Sequence, residues 1–197
     1  MTERTSSPAV PSSPSAPANL VKDRAPDPQP SRPPLDDTLF GAVTVTVQTH
    51  TRITVSGPGI PRTTLVRTPG DAEPDAHIAI GTRAPASLAL TVADTPADIR
   101  PGKGRFRRST YRVDATHDGT RYRLTPTSIG TSTLTRDGVA LAEFTADGDE
   151  TVLVDWREDA TPHPVDASLG YALAAAYGTG GQPMWLTLID VITDFIP

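Results

Sequence analysis

The 197-residue chain contains no cysteine. That excludes disulfides, thiolate metal sites and cysteine nucleophiles together, and it fits a reducing compartment, so the cytoplasm is the expected location. Aromatic residues are scarce at 5%, and hydrophobic residues reach only 37%. An ordinary domain diluted by a segment that cannot fold would give such figures. Lysine is nearly absent: 16 of the 18 basic residues are arginine, a bias that fits a GC-rich genome such as an actinobacterium's. No run approaches the roughly 18–20 apolar residues of a membrane span. The opening MTERTSSPAV has no apolar leader core, so neither a span nor Sec export is expected. A net charge of −5 argues against a dedicated nucleic-acid binder.

Catalytic motifs are missing too. Pro101-Gly102-Lys103-Gly104 lacks the upstream glycine and the following Ser/Thr of a phosphate-binding loop. Gly178, Gly180 and Gly181 follow a helical pattern, as a cap and connector do. His50, His77, His117 and His163 are not spaced as ligand pairs. His117 with Asp114 and Asp118 resembles a metal corner, but it falls on a hairpin turn, where Asp serves local backbone bonds. No Gly-x-Ser-x-Gly elbow occurs. The acids Asp147, Asp149, Glu150, Glu158 and Asp159 fall in loops, where solvated charge is the default. No catalytic residue, metal ligand or cofactor is read from the sequence.

What is present is pattern. Residues 1–37 hold 9 of the 21 prolines and six serines, too little apolar surface to offset the entropy of ordering. They read as a disordered tail, with one domain over 38–197. Val43, Val45, Val47, Ile53 and Val55 share one parity against Thr44, Thr46, Gln48, Arg52 and Thr54, the period of two that marks strand. Ser56-Gly57-Pro58-Gly59 is a turn. Strands are expected over 63–67, 77–80 and 88–92. A hairpin meander follows, turning at His117-Asp118-Gly119-Thr120, at Asp137-Gly138 and at Asp147-Gly148. Asp-Gly between β-type runs is the strongest short-range hairpin signal. A slip of parity between Val139 and Phe144 predicts a bulge.

The pattern then changes abruptly. Pro164 and Asp166 are helix-start signals. The run to Tyr177 is apolar on nearly every side, so a helix over 164–178 belongs in a core. A second helix is expected over 183–196, with an apolar face including Met184, Leu188, Ile192 and Ile196. The fold class is therefore mainly β: an antiparallel meander forming a barrel or sandwich, with a hydrophobic C-terminal helix in or on it.

Charge is divided along the meander. Residues 100–123 carry eight basic residues against two acidic ones, +6, and residues 137–166 carry nine acids against Arg157, −8. Adjacent hairpins of opposite sign compensate each other across a sheet, or the basic stretch is a contact surface. On the second reading Lys103, Arg105, Arg107, Arg108 and Arg112 are the partner-binding residues, and an acidic protein surface or an anionic lipid is the partner.

Hairpins from Tyr111 to Trp156 around a hydrophobic helix from Pro164 to Tyr177 resemble the tubby C-terminal-like architecture, shared with LURP-one-related and scramblase-like domains. The resemblance covers roughly residues 39–178 and carries no shared motif. It implies recognition of anionic phospholipid or protein without catalysis. The expected function is a non-catalytic cytoplasmic binding or adaptor domain. Two alternatives stand beside it. One is a structural subunit of a bacterial or phage-like assembly, as a homo-oligomer through Met184–Ile196. The other is a small-ligand carrier or enzyme using the cavity of the β body, with His117 or Asp118 nearby.

Overall fold

The computed structural model describes residues 34–68, 70, 73–104, 108–128, 130–146 and 152–179, with the side chains of Arg108 and Ala146 left aside. The chain divides into Met1–Pro30 and Ser31–Pro197, and every described residue belongs to the second unit. The expected helix over 183–196, residues 1–33 of the tail and the Asp147-Gly148 turn lie outside the described residues.

Eleven strands come first: β1 (Leu35–Asp37), β2 (Gly41–Gln48), β3 (Arg52–Gly57), β4 (Ile60–Arg67), β5 (Leu88–Val92), β6 (Thr95–Pro101), β7 (Val113–His117), β8 (Thr120–Pro126), β9 (Thr131–Arg136), β10 (Val139–Ala146) and β11 (Val152–Trp156). One helix follows, α1 (Pro164–Tyr177). Each strand pairs antiparallel with the next, and their order in the sheet is their order in the chain. The result is an up-and-down, nearly closed barrel with its C-terminal helix packed against the inner face of the wall.

The alternation seen in the sequence builds this wall. Ile53 and Val55, Leu65, Leu90 and Val92, Val113 and Ala115, Leu124 and Leu134 all turn inward and are buried, while the residues between them face outward. The turns Asp118-Gly119 and Asp137-Gly138 have positive φ at both positions, the twist that a two-residue hairpin needs. The ladder between β9 and β10 shifts register between Ala140 and Ala142. That bulge lets Leu141 and Ala142 both be buried, as the parity slip predicts.

α1 is buried from Asp166 to Tyr177 on every side. It touches β2 to β5 on one side and β8 to β11 on the other. Its alanines make this geometry available, because a slim helix lets strand side chains approach from all directions. Its Ser168 hydroxyl is satisfied on both sides: Thr63 on β4 donates to it at 2.9 Å, and it donates to the Val165 carbonyl at 3.1 Å. Gly170 marks the tightest approach. A methyl group there would overlap the Phe144 ring and press on Leu134.

The sheet ends at β1 and β11, and one buried carboxylate spans that seam. Asp37 is 3% exposed. It accepts hydrogen bonds from the backbone N–H groups of Leu39 (2.9 Å) and Phe40 (3.0 Å), from Trp156 Nε1 on β11 (3.2 Å) and from the Tyr171 hydroxyl on α1 (3.0 Å). Phe40, Trp156, Phe144 and Tyr171 pack edge-on in sequence around it, with ring centroids 5.4–6.2 Å apart.

Several expectations need correction. The ordered wall begins at Leu35, inside the segment read as tail, because Asp37 anchors it. Residues 77–80 form bends instead of a strand: the Asp75 carboxylate accepts from the His77 N–H at 2.9 Å, a local turn that competes with a ladder. Ile78 and Ile80 are buried all the same. β6 (Thr95–Pro101) is a strand that the pattern does not announce, since Pro96 and Pro101 interrupt its alternation. Tyr111 closes a 3-10 turn (Arg108–Tyr111) before β7 begins.

Two predictions follow from this packing. Gly170→Ala should lower the urea midpoint: helix propensity favours alanine by about 1 kcal/mol, but overpacking costs about 1–3 kcal/mol. A raised midpoint would mean that α1 is not enclosed. Asp37→Ala strands four donors, at about 1–3 kcal/mol for each buried one, so a loss above ~3 kcal/mol is expected, with Asp37→Asn milder. A thermal-denaturation loss under ~1 kcal/mol would remove the carboxylate's role at the seam.

Candidate functional site

The meander sorts its connections between two ends. Where α1 begins, strands join through short links: 38–40, 58–59, 93–94, 118–119 and 137–138. Where α1 stops, the longer connections gather: 68–87, 102–112 and 127–130, with the far ends of β10 and β11. Long loops carried by a rigid wall are where binding groups concentrate.

At the α1 C-terminal end, the Arg83 guanidinium lies between two rings, 5.2 Å from the centre of Tyr111 and 5.1 Å from that of Tyr177. It donates to the carbonyls of Gly102 (3.2 Å) and Tyr111 (3.4 Å). Burial lowers its pKa, opposed by the nearby tyrosines and Asp75. Arg83 thereby ties the loop after β6 to the last residue of the helix, where a cation also suits the helix dipole. Burial pushes the Tyr177 phenol up. The adjoining cleft, lined by Tyr111, Val113, Leu124, Pro126, Ser132 and Tyr177, has no room for a water-sized sphere. Beside this cleft, α1 packs against β4, β8 and β9.

The opposite end holds a buried ion pair. Asp166, 0% exposed, accepts from Arg136 at 2.6 Å and from the His163 N–H at 2.6 Å. The second contact caps the helix. Arg136 also donates to the Thr161 carbonyl at 3.1 Å. Burial raises the Asp166 pKa, while the His163 N–H and Arg136 pull it back. Burial and then the neighbouring Asp166 push Tyr122 up to about 12, so this phenol keeps its proton. His117 points inward at the end of β7, with Nε2 3.4 Å from Asp118. Every one of these groups orders the helix start or its surroundings.

The charged outer wall is different, because its groups face solvent. Register places Arg100 opposite Asp114 and Asp114 opposite Arg123. Asp114 accepts from Arg112 Nε at 3.3 Å and from Arg123 Nε, and Arg112 reaches the Ser109 carbonyl at 3.5 Å. Arg100, Lys103 and Arg121 are exposed and form no ion pair with a described residue. Of the residues singled out in the sequence, Lys103 and Arg112 therefore stand on this face. Arg105 and Arg107 lie outside the described residues, and Arg108 opens the 3-10 turn. Arg100, Arg121 and Arg123 join the face through register, which no local motif announces. The period of two on β8 was the available signal for Arg121 and Arg123.

Compensation between hairpins, the other expectation, takes a different form. Charge is balanced inside the β7–β8 hairpin, around Asp114. Toward the acidic strands, the outer positions of β9 are Thr131, Thr133 and Thr135. Among the described residues, no side-chain ion pair crosses that uncharged column. Comparison with protein-family models, curated proteins and solved structures gives no match.

Arg136→Ala tests the buried pair. It leaves Asp166 charged and uncompensated, so a loss of about 3–5 kcal/mol is expected at neutral pH. An acid whose folded pKa is raised contributes stability that is full below its unfolded value, about 3.9, and is lost as pH rises through the folded value. Removing Arg136 raises the folded value further, so the deficit should shrink as pH falls toward ~4. Urea titrations across that range check this; a pH-independent deficit would mean the contact acts through packing alone.

Proposed function

We propose that this chain is a non-catalytic binding module that presents a basic wall, β6 to β8 with the loop after β6, to an anionic partner. An acidic protein surface is the first partner and an anionic lipid head group the alternative. The observation that carries the reading is the set of exposed cations Arg100, Lys103 and Arg121, which form no ion pair with a described residue, beside the Arg112–Asp114–Arg123 cluster. Free guanidinium groups engage carboxylate and phosphate oxygens in bidentate fashion.

The architecture supports the same reading. A nearly closed meander around an apolar C-terminal helix resembles the tubby C-terminal-like, LURP-one-related and scramblase-like domains, for which anionic phospholipid or protein recognition is implied. That warrant is fold-level analogy.

The test is Arg100→Glu/Lys103→Glu/Arg121→Glu in the full chain, which leaves the Asp114 cluster intact. Affinity purification from the native cell and co-sedimentation with phosphatidylserine vesicles give the two readouts. At about 1 kcal/mol per surface charge, binding should weaken roughly 100-fold, with a loss of stability no larger than the ~1 kcal/mol that an acid facing Asp114 costs. A variant that keeps its partner and its vesicle binding would overturn the proposal.

A further inference from the structure

We infer that the acidic partner of the basic wall is a second copy of this chain, docked head to tail. The inference rests on the proposed role of that wall and names its partner from the other side of the same barrel. On β10 and β11, Glu143 and Asp155 are directly opposite each other, and both are exposed. Like charges facing across an antiparallel pair are destabilising, so this arrangement carries a local cost that an incoming cation would relieve. Leu153, 52% exposed, stands beside them opposite Thr145 and offers an apolar centre. Arg157 hydrogen-bonds Asp159 at 3.0 and 3.2 Å and has Glu143 only as a weaker electrostatic neighbour.

Among the described residues, no ion pair joins the two walls within one molecule. Glu143 lies opposite Thr133, and Thr133 opposite Thr125, so the uncharged outer column of β9 separates the acidic pair from the arginines of β8. Both walls belong to one hydrogen-bonded sheet around a filled interior, which fixes their separation. Charge complementarity is thus available between copies: the wall of Arg100, Lys103 and Arg121 on one, and that of Glu143, Asp155 and Leu153 on the next. Two different patches meet in this contact, so it is heterologous and propagates as a ring or a filament.

The experiment is sedimentation velocity of the full chain at low and high salt, with two variants. One is Arg100→Glu/Lys103→Glu/Arg121→Glu, whose walls are both acidic. The other is Glu143→Arg/Asp155→Arg, whose walls are both basic. Wild type should associate at low salt and dissociate as salt rises. Each variant alone should associate about tenfold more weakly or worse, and an equimolar mixture of the two should recover association, since acidic walls then meet basic ones. Mixing also controls for folding, because a misfolded variant cannot restore the contact. Association that survives in both variants alone would overturn the inference. So would a wild type that stays monomeric at low salt. If a monomeric wild type still pulls down a protein that the basic-wall variant loses and Glu143→Arg/Asp155→Arg keeps, the second-copy assignment falls while the binding wall stands. If neither association nor any partner depends on the basic wall, both fall together.

Discussion

The structure depends on one carboxylate at a seam. A meander of eleven strands ends with two edges, and nothing in hairpin geometry obliges the first and last strands to meet. Asp37 makes them meet by accepting from four donors on three parts of the chain: the turn before β2, Trp156 on β11 and Tyr171 on α1. An ionised carboxylate can accept about that many bonds, so its burial is compensated by contacts that each fix a different element. Burial, with Asp37 beside it, raises the Tyr171 pKa, which keeps the donating hydroxyl in place. The cluster of Phe40, Phe144, Trp156 and Tyr171 then excludes water from these bonds, and low local dielectric strengthens them.

The helix inside explains why the rest of the wall is so regular. A slim, alanine-rich helix buries little surface per residue, so Leu169, Leu173 and Tyr171 supply most of its hydrophobic contribution, about 1.5–3 kcal/mol for each large aliphatic side chain. Its position is set by polar contacts at distinct heights: Asp166 with Arg136 near the start, Ser168 with Thr63 one step on, Tyr171 with Asp37 in the middle and Tyr177 against Arg83 at the end. A buried ion pair adds little net stability over apolar packing but penalises other arrangements. Four such contacts along fourteen residues would oppose sliding or rotation of α1, which apolar packing on all sides would otherwise tolerate.

Local chemistry was legible in the sequence, and long-range pairing was not. The Asp118-Gly119 and Asp137-Gly138 hairpins, the bulge near Leu141 and the buried helix each follow from residues within a few positions of one another. β6 escaped notice because its inward side is only Ala97, Ile99 and Pro101, with prolines at both ends of the pattern. β1 was lost in a proline-rich context, since three residues cannot show a period. Asp37, Arg83 and Arg136 act largely through partners 19 to 134 residues away or through ring faces, and no spacing rule connects them. The candidate face was half legible. The excess of arginine was plain, while the membership of Arg100, Arg121 and Arg123 on one wall required the register.

The threonine column on β9 decides what the surface charge can do. Arg123 on β8 faces Thr135 while Glu143 on β10 faces Thr133, so two strand spacings of about 4.8 Å and a two-residue offset put them roughly 12 Å apart. That exceeds the Debye length at physiological salt, about 8 Å. Within one molecule their attraction is therefore largely screened, and the two walls keep separate fields of opposite sign. A cation in place of Thr133 would have faced Glu143 directly and offset the acidic pair within the molecule. The sequence instead places small uncharged side chains where a bridge would form. Charges that a fold leaves unspent in this way contribute little to its stability. They remain available to steer and orient a partner at short range, where complementary potentials set the rate and register of docking more than its final strength.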